Sequence, residues 1–223
     1  MVDVVRFVNS RFTSNTYVIY STDSENIWVV DPGDFTQVEL WMKKNNKTGI
    51  SGVLITHAHF DHIYGSNELF ERHPSTIFYV YNQIGIDILY DAKKNGSKYT
   101  EAPFVMNNQA KVHIITPEMN LWDNCIIHNY FTPGHSEDSM CILLGNMLFT
   151  GDTLIKNVRT VTKLKGGSVE KLQYSIDMIN SFKGRGLIVY PGHGDSFLLD
   201  DYNLSVAVKK GIKRIRGTGT SVH

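Results

Sequence analysis

Apolar and polar positions along the chain follow two alternating rhythms. Short runs rich in Val, Ile and aromatic residues at 4–8, 16–20 and 26–30 predict three opening strands. Asp31-Pro32-Gly33 ends the third with turn chemistry. Phe35, Val38, Trp41 and Met42 then recur at helical spacing, and Asn45-Asn46 stops that helix. A strand over 50–55 runs into a polar loop. The pattern next predicts a helix over 63–72 closed by Pro74, a strand over 76–81 and an amphipathic helix over 83–94 with Asn95-Gly96 behind it. The stretch 97–109 has little periodicity and reads as a loop near the polar segment.

The second half repeats the alternation without repeating sequence. A strand over 125–131 enters Thr132-Pro133-Gly134-His135, and runs at 140–144 and 147–149 flank Gly145-Asn146 as a two-residue hairpin. That hairpin delivers Thr150-Gly151-Asp152-Thr153. Ser168 caps a helix whose Val169, Leu172, Ile176 and Ile179 share a face. A strand over 187–190 ends in Pro191-Gly192-His193-Gly194, and a last helix is expected over 203–215. Strands and helices spread over both halves, with no linker-like composition, predict one layered α/β domain spanning 1–223.

Composition narrows the partners. A chain of 223 residues buries one substantial core, and it has no apolar run long enough to span a membrane. With a formal net charge of zero, no nucleic acid partner is expected, and a small-molecule substrate is. The basic cluster Lys209, Lys210, Lys213, Arg214 and Arg216 reads as the solvated face of the last helix. The start, Met1-Val2-Asp3-Val4-Val5-Arg6, lacks the basic and apolar stretches of a secretory signal, so a cytoplasmic protein is expected. Cys125 and Cys141 lie in strand-like runs and read as packed thiols. Composition leaves the oligomeric state open.

The candidate chemistry sits in Thr56-His57-Ala58-His59-Phe60-Asp61-His62, which follows the apolar run 52–55. Neutral imidazoles and ionised carboxylates are the ligands borderline-soft divalent metals take, and crowding them together without a metal is costly to bury. The same grammar recurs at His135, Asp152 and His193: an apolar strand ends, a Gly or Pro turn follows, and a metal-capable side chain stands at the tip. Five histidines and two aspartates at four such ends call for two metals. Asp31 reads either as a partner orienting a ligating imidazole or as a plain turn residue.

The intact His-x-His-x-Asp-His motif at 57–62, followed in order by His135, Asp152 and His193, resembles the metallo-β-lactamase superfamily over nearly the whole chain. The resemblance implies a four-layer αβ/βα sandwich with the metal site along one edge. Carried over position by position, it implies that His57, His59 and His135 hold one divalent ion. Asp61, His62 and His193 would hold a second, and Asp152 would bridge the two. Zinc is the expected metal, with iron or manganese compatible with the same ligands. Two ions about 3.5–4 Å apart share a water, lower its pKa toward about 7 and so supply a bridging hydroxide to attack a carbonyl carbon. Asp61 would orient that nucleophile.

Within the superfamily, aspartate at 152 and histidine at 59 point away from the antibiotic-degrading and oxygen-reducing branches. The runs 148–154 and 132–136 look most like glyoxalase II, whose members hydrolyse glutathione thioesters. About thirty residues follow His193, which leaves little room for that branch's C-terminal helical region. Arg159, Lys163 and Lys165 are candidates to meet a substrate carboxylate. The alternatives of this fold are a persulfide dioxygenase with one iron, a lactone or phosphodiester hydrolase, and a metal-bound module without turnover.

Overall fold

The computed structural model describes residues 1–208. Its twelve strands form two six-stranded mixed sheets. The first contains β1 (Val2–Val8), β2 (Asn15–Ser21), β3 (Asn26–Val30), β4 (Gly49–Leu54), β5 (Ile77–Val80) and β6 (Lys111–Ile114) in chain order. Pairing is antiparallel from β1 to β3 and parallel from β3 to β6. The second sheet runs β7 (Glu118–Trp122), β8 (Cys125–Phe131), β9 (Met140–Leu144), β10 (Met147–Gly151), β11 (Ile188–Pro191) and β12 (Phe197–Leu198). There only β10 and β11 pair in parallel. Helix α1 (Phe35–Lys44) connects β3 to β4, while α2 (Phe60–Ile63) and α3 (Ser66–Arg72) connect β4 to β5. Helix α4 (Gln83–Leu89) follows β5, and α5 (Val169–Asn180) connects β10 to β11.

The strands are apolar on both faces because each face meets a different layer. On β2 and β3, Tyr17, Ile19, Trp28 and Val30 enter a cluster shared with Met140, Ile142 and Phe149 of the second sheet. The alternate positions Val18, Ile27 and Val29 pack with Phe35, Val38 and Leu69 of the helices. In the second sheet Cys141, Leu143 and Leu148 turn outward to Leu172, Ile176 and Ile179 of α5. Three buried clusters between four layers are the signature of an αβ/βα sandwich, as expected from the motif.

Most elements lie where the hydrophobic rhythm places them. Asn45 and Asn46 end α1, Asn46 in the left-handed region at φ 54°. The Ser168 hydroxyl accepts the Lys171 N–H at the start of α5. The expected helix over 63–72 is instead broken at Tyr64–Gly65. The Gly65 N–H turns to donate to the Pro32 carbonyl at 3.0 Å, and a side chain at 65 would strike the Gly33 carbonyl. Helix α4 is shorter than expected, and 97–109 contains one 3₁₀ turn at Ser97–Tyr99. Strands β6, β7 and β12 are additions to the expected elements: they are only 4, 5 and 2 residues long, so their alternation is too brief to stand out. Cys125 and Cys141 are buried free thiols. Of the expected last helix over 203–215, only 204–206 is helical within the described residues, as a 3₁₀ turn; 209–215 and the basic cluster lie outside them. Among the described residues no helix is long and apolar enough to cross a membrane.

Candidate metal centre

One edge of the sandwich collects the ends of β3, β4, β8, β10 and β11. These strands run in the same direction, so Asp31, the 56–62 loop, His135, Asp152 and His193 all emerge there. Two backbone hydrogen bonds tie the sheets together at this edge, Met140 N–H to the Thr56 carbonyl at 2.8 Å and Asn15 N–H to the Gly192 carbonyl at 2.7 Å. All seven expected ligands come together. Donor atoms of His57, His59 and His135 lie within 4.8 Å of one another, as do those of Asp61, His62 and His193. Asp152 stands between the two groups. Its Oδ1 is 3.5 Å from His62 Nε2, and its Oδ2 is 3.6 Å from both His135 Nε2 and His193 Nε2.

The donor chemistry fits divalent ions. His57 Nε2, His62 Nε2 and Asp152 Oδ1 are buried with no hydrogen-bonding partner in the chain. A buried polar atom left unpaired costs about 1–3 kcal/mol, so three such atoms on candidate ligands suit an external partner. Burial, helped by the other imidazoles, drives His57 well below its ordinary range, and burial with His135 takes His59 down to about 3. Both rings are therefore neutral and offer lone pairs. Burial also opposes charge on His62, yet the Asp61 and Asp152 carboxylates override it and raise His62 to about 10. Asp61 is held far below the carboxylate range: burial pushes upward and is outweighed by His62 and by His193, whose Nε2 is 3.1 Å away. Within the chain alone, positive charge thus gathers at the Asp61–His62–His193 end, where a cation would replace it.

Buried supports aim the rings. Asp31 accepts from Thr56 N–H at 2.7 Å, from Thr56 Oγ1 at 2.6 Å and from His62 Nδ1 at 3.0 Å, leaving Nε2 to face the site. Of its two sequence readings, the orienting one describes the contact. Asp31 holds φ 52°, a left-handed backbone that aspartate tolerates better than most residues. Asp138, which sequence reasoning missed, is wholly buried; it accepts the Ala58 N–H at 2.8 Å and the Ser136 hydroxyl. It therefore joins the loop of His57 and His59 to the loop of His135. An acidic residue three places after a ligand is a weak signal, and only the fold brings it under Ala58. The carbonyl of Val161 lies 2.9 Å from His135 Nδ1 and fixes that ring.

The centre floors a cavity of about 770 Å³. Lys163 and Lys165, two of the three basic candidates, line it; Arg159 is exposed and is not among the lining residues. Tyr99 and Thr100 bring the 97–109 stretch to the rim, and Lys93, Lys94 and Phe12 join them. Sequence reasoning passed over these three, since an exposed lysine after a helix carries no signal of its own.

Comparison with known proteins agrees with this geometry. A family model described as the metallo-beta-lactamase superfamily matches residues 10–193. A hydroxyacylglutathione hydrolase of Pseudoalteromonas translucida is 27% identical over 168 residues, 74% of this chain and 56% of its own length. An atrochrysone carboxyl ACP thioesterase of Aspergillus fumigatus is 31% identical over 187 residues, 81% of this chain and 50% of its own. The chain thus spans about half the length of these two relatives. The crystal structure of BLEG-1 B3 metallo-beta-lactamase superposes with a TM-score of 0.78 at 26% identity, covering 88% of this chain and 94% of that one. On fold, ligand order and family match together, the chain belongs to the metallo-β-lactamase superfamily.

Proposed function

We propose that the chain is a hydrolase with two metal ions, zinc by preference, acting on the carbonyl group of a small thioester. The observation that carries this reading is Asp152, whose two carboxylate oxygens reach toward His62 on one side and His135 on the other. A carboxylate so placed between two donor groups is suited to join two cations. His57, His59 and His135 would hold one, and Asp61, His62 and His193 the other. When bound, such ions acidify water and polarise a carbonyl oxygen.

The chain's own residues account for the rest. Asp61, ionised and anchored by His193, faces the cavity and is placed to orient a water and accept its hydrogen bond. Water adds to the carbonyl carbon, the carbon–sulfur bond breaks, and the thiol and carboxylic acid leave. A thiolate is a good leaving group and needs no strong acid to protonate it. Among the described residues the cavity lining holds no serine or cysteine to compete as nucleophile, and burial pushes the Cys141 thiol up to about 12. Thioester as the substrate class draws support from the names of the two relatives, both of which denote acyl–thiol substrates. A cytoplasmic site of action remains part of this reading.

The test pairs elemental analysis with a substrate panel. Reconstituted protein should approach two metal equivalents, with zinc giving the highest turnover. It should cleave a simple acyl thioester or S-lactoylglutathione faster than an acyl-homoserine lactone or a phosphodiester. Full activity with one equivalent would overturn the two-metal reading. Oxygen consumption with glutathione persulfide and no hydrolysis would overturn the reaction itself.

A further inference from the structure

The mouth of the cavity is unlike its floor. Four lysines line it, Lys93 and Lys94 from the segment after α4 and Lys163 and Lys165 from the segment before α5. Its acidic lining residues, Asp61 and Asp152, both belong to the floor. Among the described residues none of the four lysines forms a salt bridge, whereas Lys43 and Lys171 each do. The two segments lie within electrostatic reach of each other: Asp91 accepts the Lys93 and Lys94 N–H groups and also feels the charge of Lys165. Charges drawn from both sides onto one opening focus an anion toward it.

Large apolar side chains stand open to solvent in the same place. Phe12 is 66% exposed, Tyr99 77% and Leu164 53%, and all three line the cavity. Phe12 and Thr13 both hold left-handed backbone, at φ 55° and 54°. Such backbone in non-glycine residues persists where the surroundings impose it. Exposed apolar surface rimmed by charge marks a surface that binds an amphiphilic ligand.

We propose that Lys93, Lys94, Lys163 and Lys165 clamp a multiply anionic group on the substrate, while its apolar arm lies across Phe12 and Leu164 and delivers the thioester to the floor. This rests on the thioester reading above. It assigns the substrate class as a thioester of a thiol that ends in a phosphate or a dicarboxylate, and two such charges suit four lysines better than one carboxylate does. The lysines, exposed apart from half-buried Lys94, keep water at their far side, so each ion pair contributes up to about a fivefold preference rather than the larger factors of buried pairs.

Two matched comparisons test it, on the metal-loaded protein. S-acetylpantetheine 4′-phosphate against S-acetylpantetheine isolates the phosphate, and S-acetylmercaptosuccinate against S-acetylmercaptoethanol isolates a dicarboxylate. The anionic member of at least one pair should have a kcat/KM higher by about tenfold or more. That ratio should shrink at high salt and fall toward one in K93A/K94A and in K163A/K165A. Binding of the thioether analogue of pantetheine phosphate, which cannot be hydrolysed, should weaken in the same variants by calorimetry. Equal kcat/KM values within both pairs, or ratios untouched by both double substitutions, would overturn the clamp and leave the hydrolase reading standing. Salt-sensitive, lysine-dependent binding of the thioether with no thioester turnover would support the clamp and overturn the hydrolase reading instead.

Discussion

Asp31 and His62 meet with Oδ2 3.0 Å from Nδ1, both wholly buried, and the same carboxylate holds the backbone and hydroxyl of Thr56. One side chain therefore sets the orientation of His62 and the start of the histidine loop. Removing it should loosen the metal without abolishing the site. Asp31→Asn, which keeps an oxygen for Thr56, should weaken metal affinity about 10–100-fold, as other partners of ligating histidines do. Asp152→Ala should cost more, because it deletes the group between the two donor sets. Competition with a chromogenic chelator ranks the two, and wild-type metal content in Asp152→Ala would contradict the bridging role.

Asp138 ties Ala58 to Ser136 from full burial. Asp138→Ala leaves the Ala58 N–H without a partner and should destabilise the fold by about 1–3 kcal/mol in denaturant melts. Asp138→Asn can still accept from Ala58 and should recover most of that loss. If the residue also positions the ligands, metal occupancy at the His57–His59–His135 group should follow the same order. Spectra of the cobalt-substituted variants report it independently of turnover.

Gly192 follows β11 where a side chain would have to occupy the space of Asp152 Oδ1 and come within 2.8 Å of His62 Cε1. Gly192→Ala should push Asp152 aside, lowering metal content and costing about 1–3 kcal/mol as an overpacked site. An alanine variant with full metal content and unchanged melting temperature would show that the cradle has slack.

The raised His62 makes a prediction for metal-stripped protein. Its folded value, about 10, lies above the ordinary imidazole range because Asp61 and Asp152 outweigh the effect of burial. Protonated His62 therefore adds stability that is fully present below about pH 6.5 and is lost as pH rises toward 10. A bound metal replaces that proton and removes the dependence. The melting temperature of stripped protein should fall between pH 7 and 10, and that of loaded protein should fall less. Parallel curves would mean that His62 keeps no such proton.

The candidate ligands were legible in the sequence because each is a local fact. His-x-His-x-Asp-His, Pro-Gly-His and Gly-Asp-Thr all stand directly after short apolar runs, and such runs bounded by turn residues read as buried strands from local composition and length. The hairpin at Gly145-Asn146 and the Ser168 cap were legible for the same reason, since turn and cap chemistry act over a few residues. What the tertiary structure alone decided is everything that depends on chain segments far apart. The helix break at Gly65 exists because Gly33 occupies the space a side chain would need, and β6, β7 and β12 pair although each is short and largely left open to solvent. Asp138 supports Ala58 across 80 positions, and Lys93 and Lys94 line the cavity while Arg159, closer in sequence to Asp152, does not. Local pattern reports how a residue is shaped by its neighbours in the chain; which distant groups share a site is set by packing of the two sheets, and that information is in no single stretch of residues.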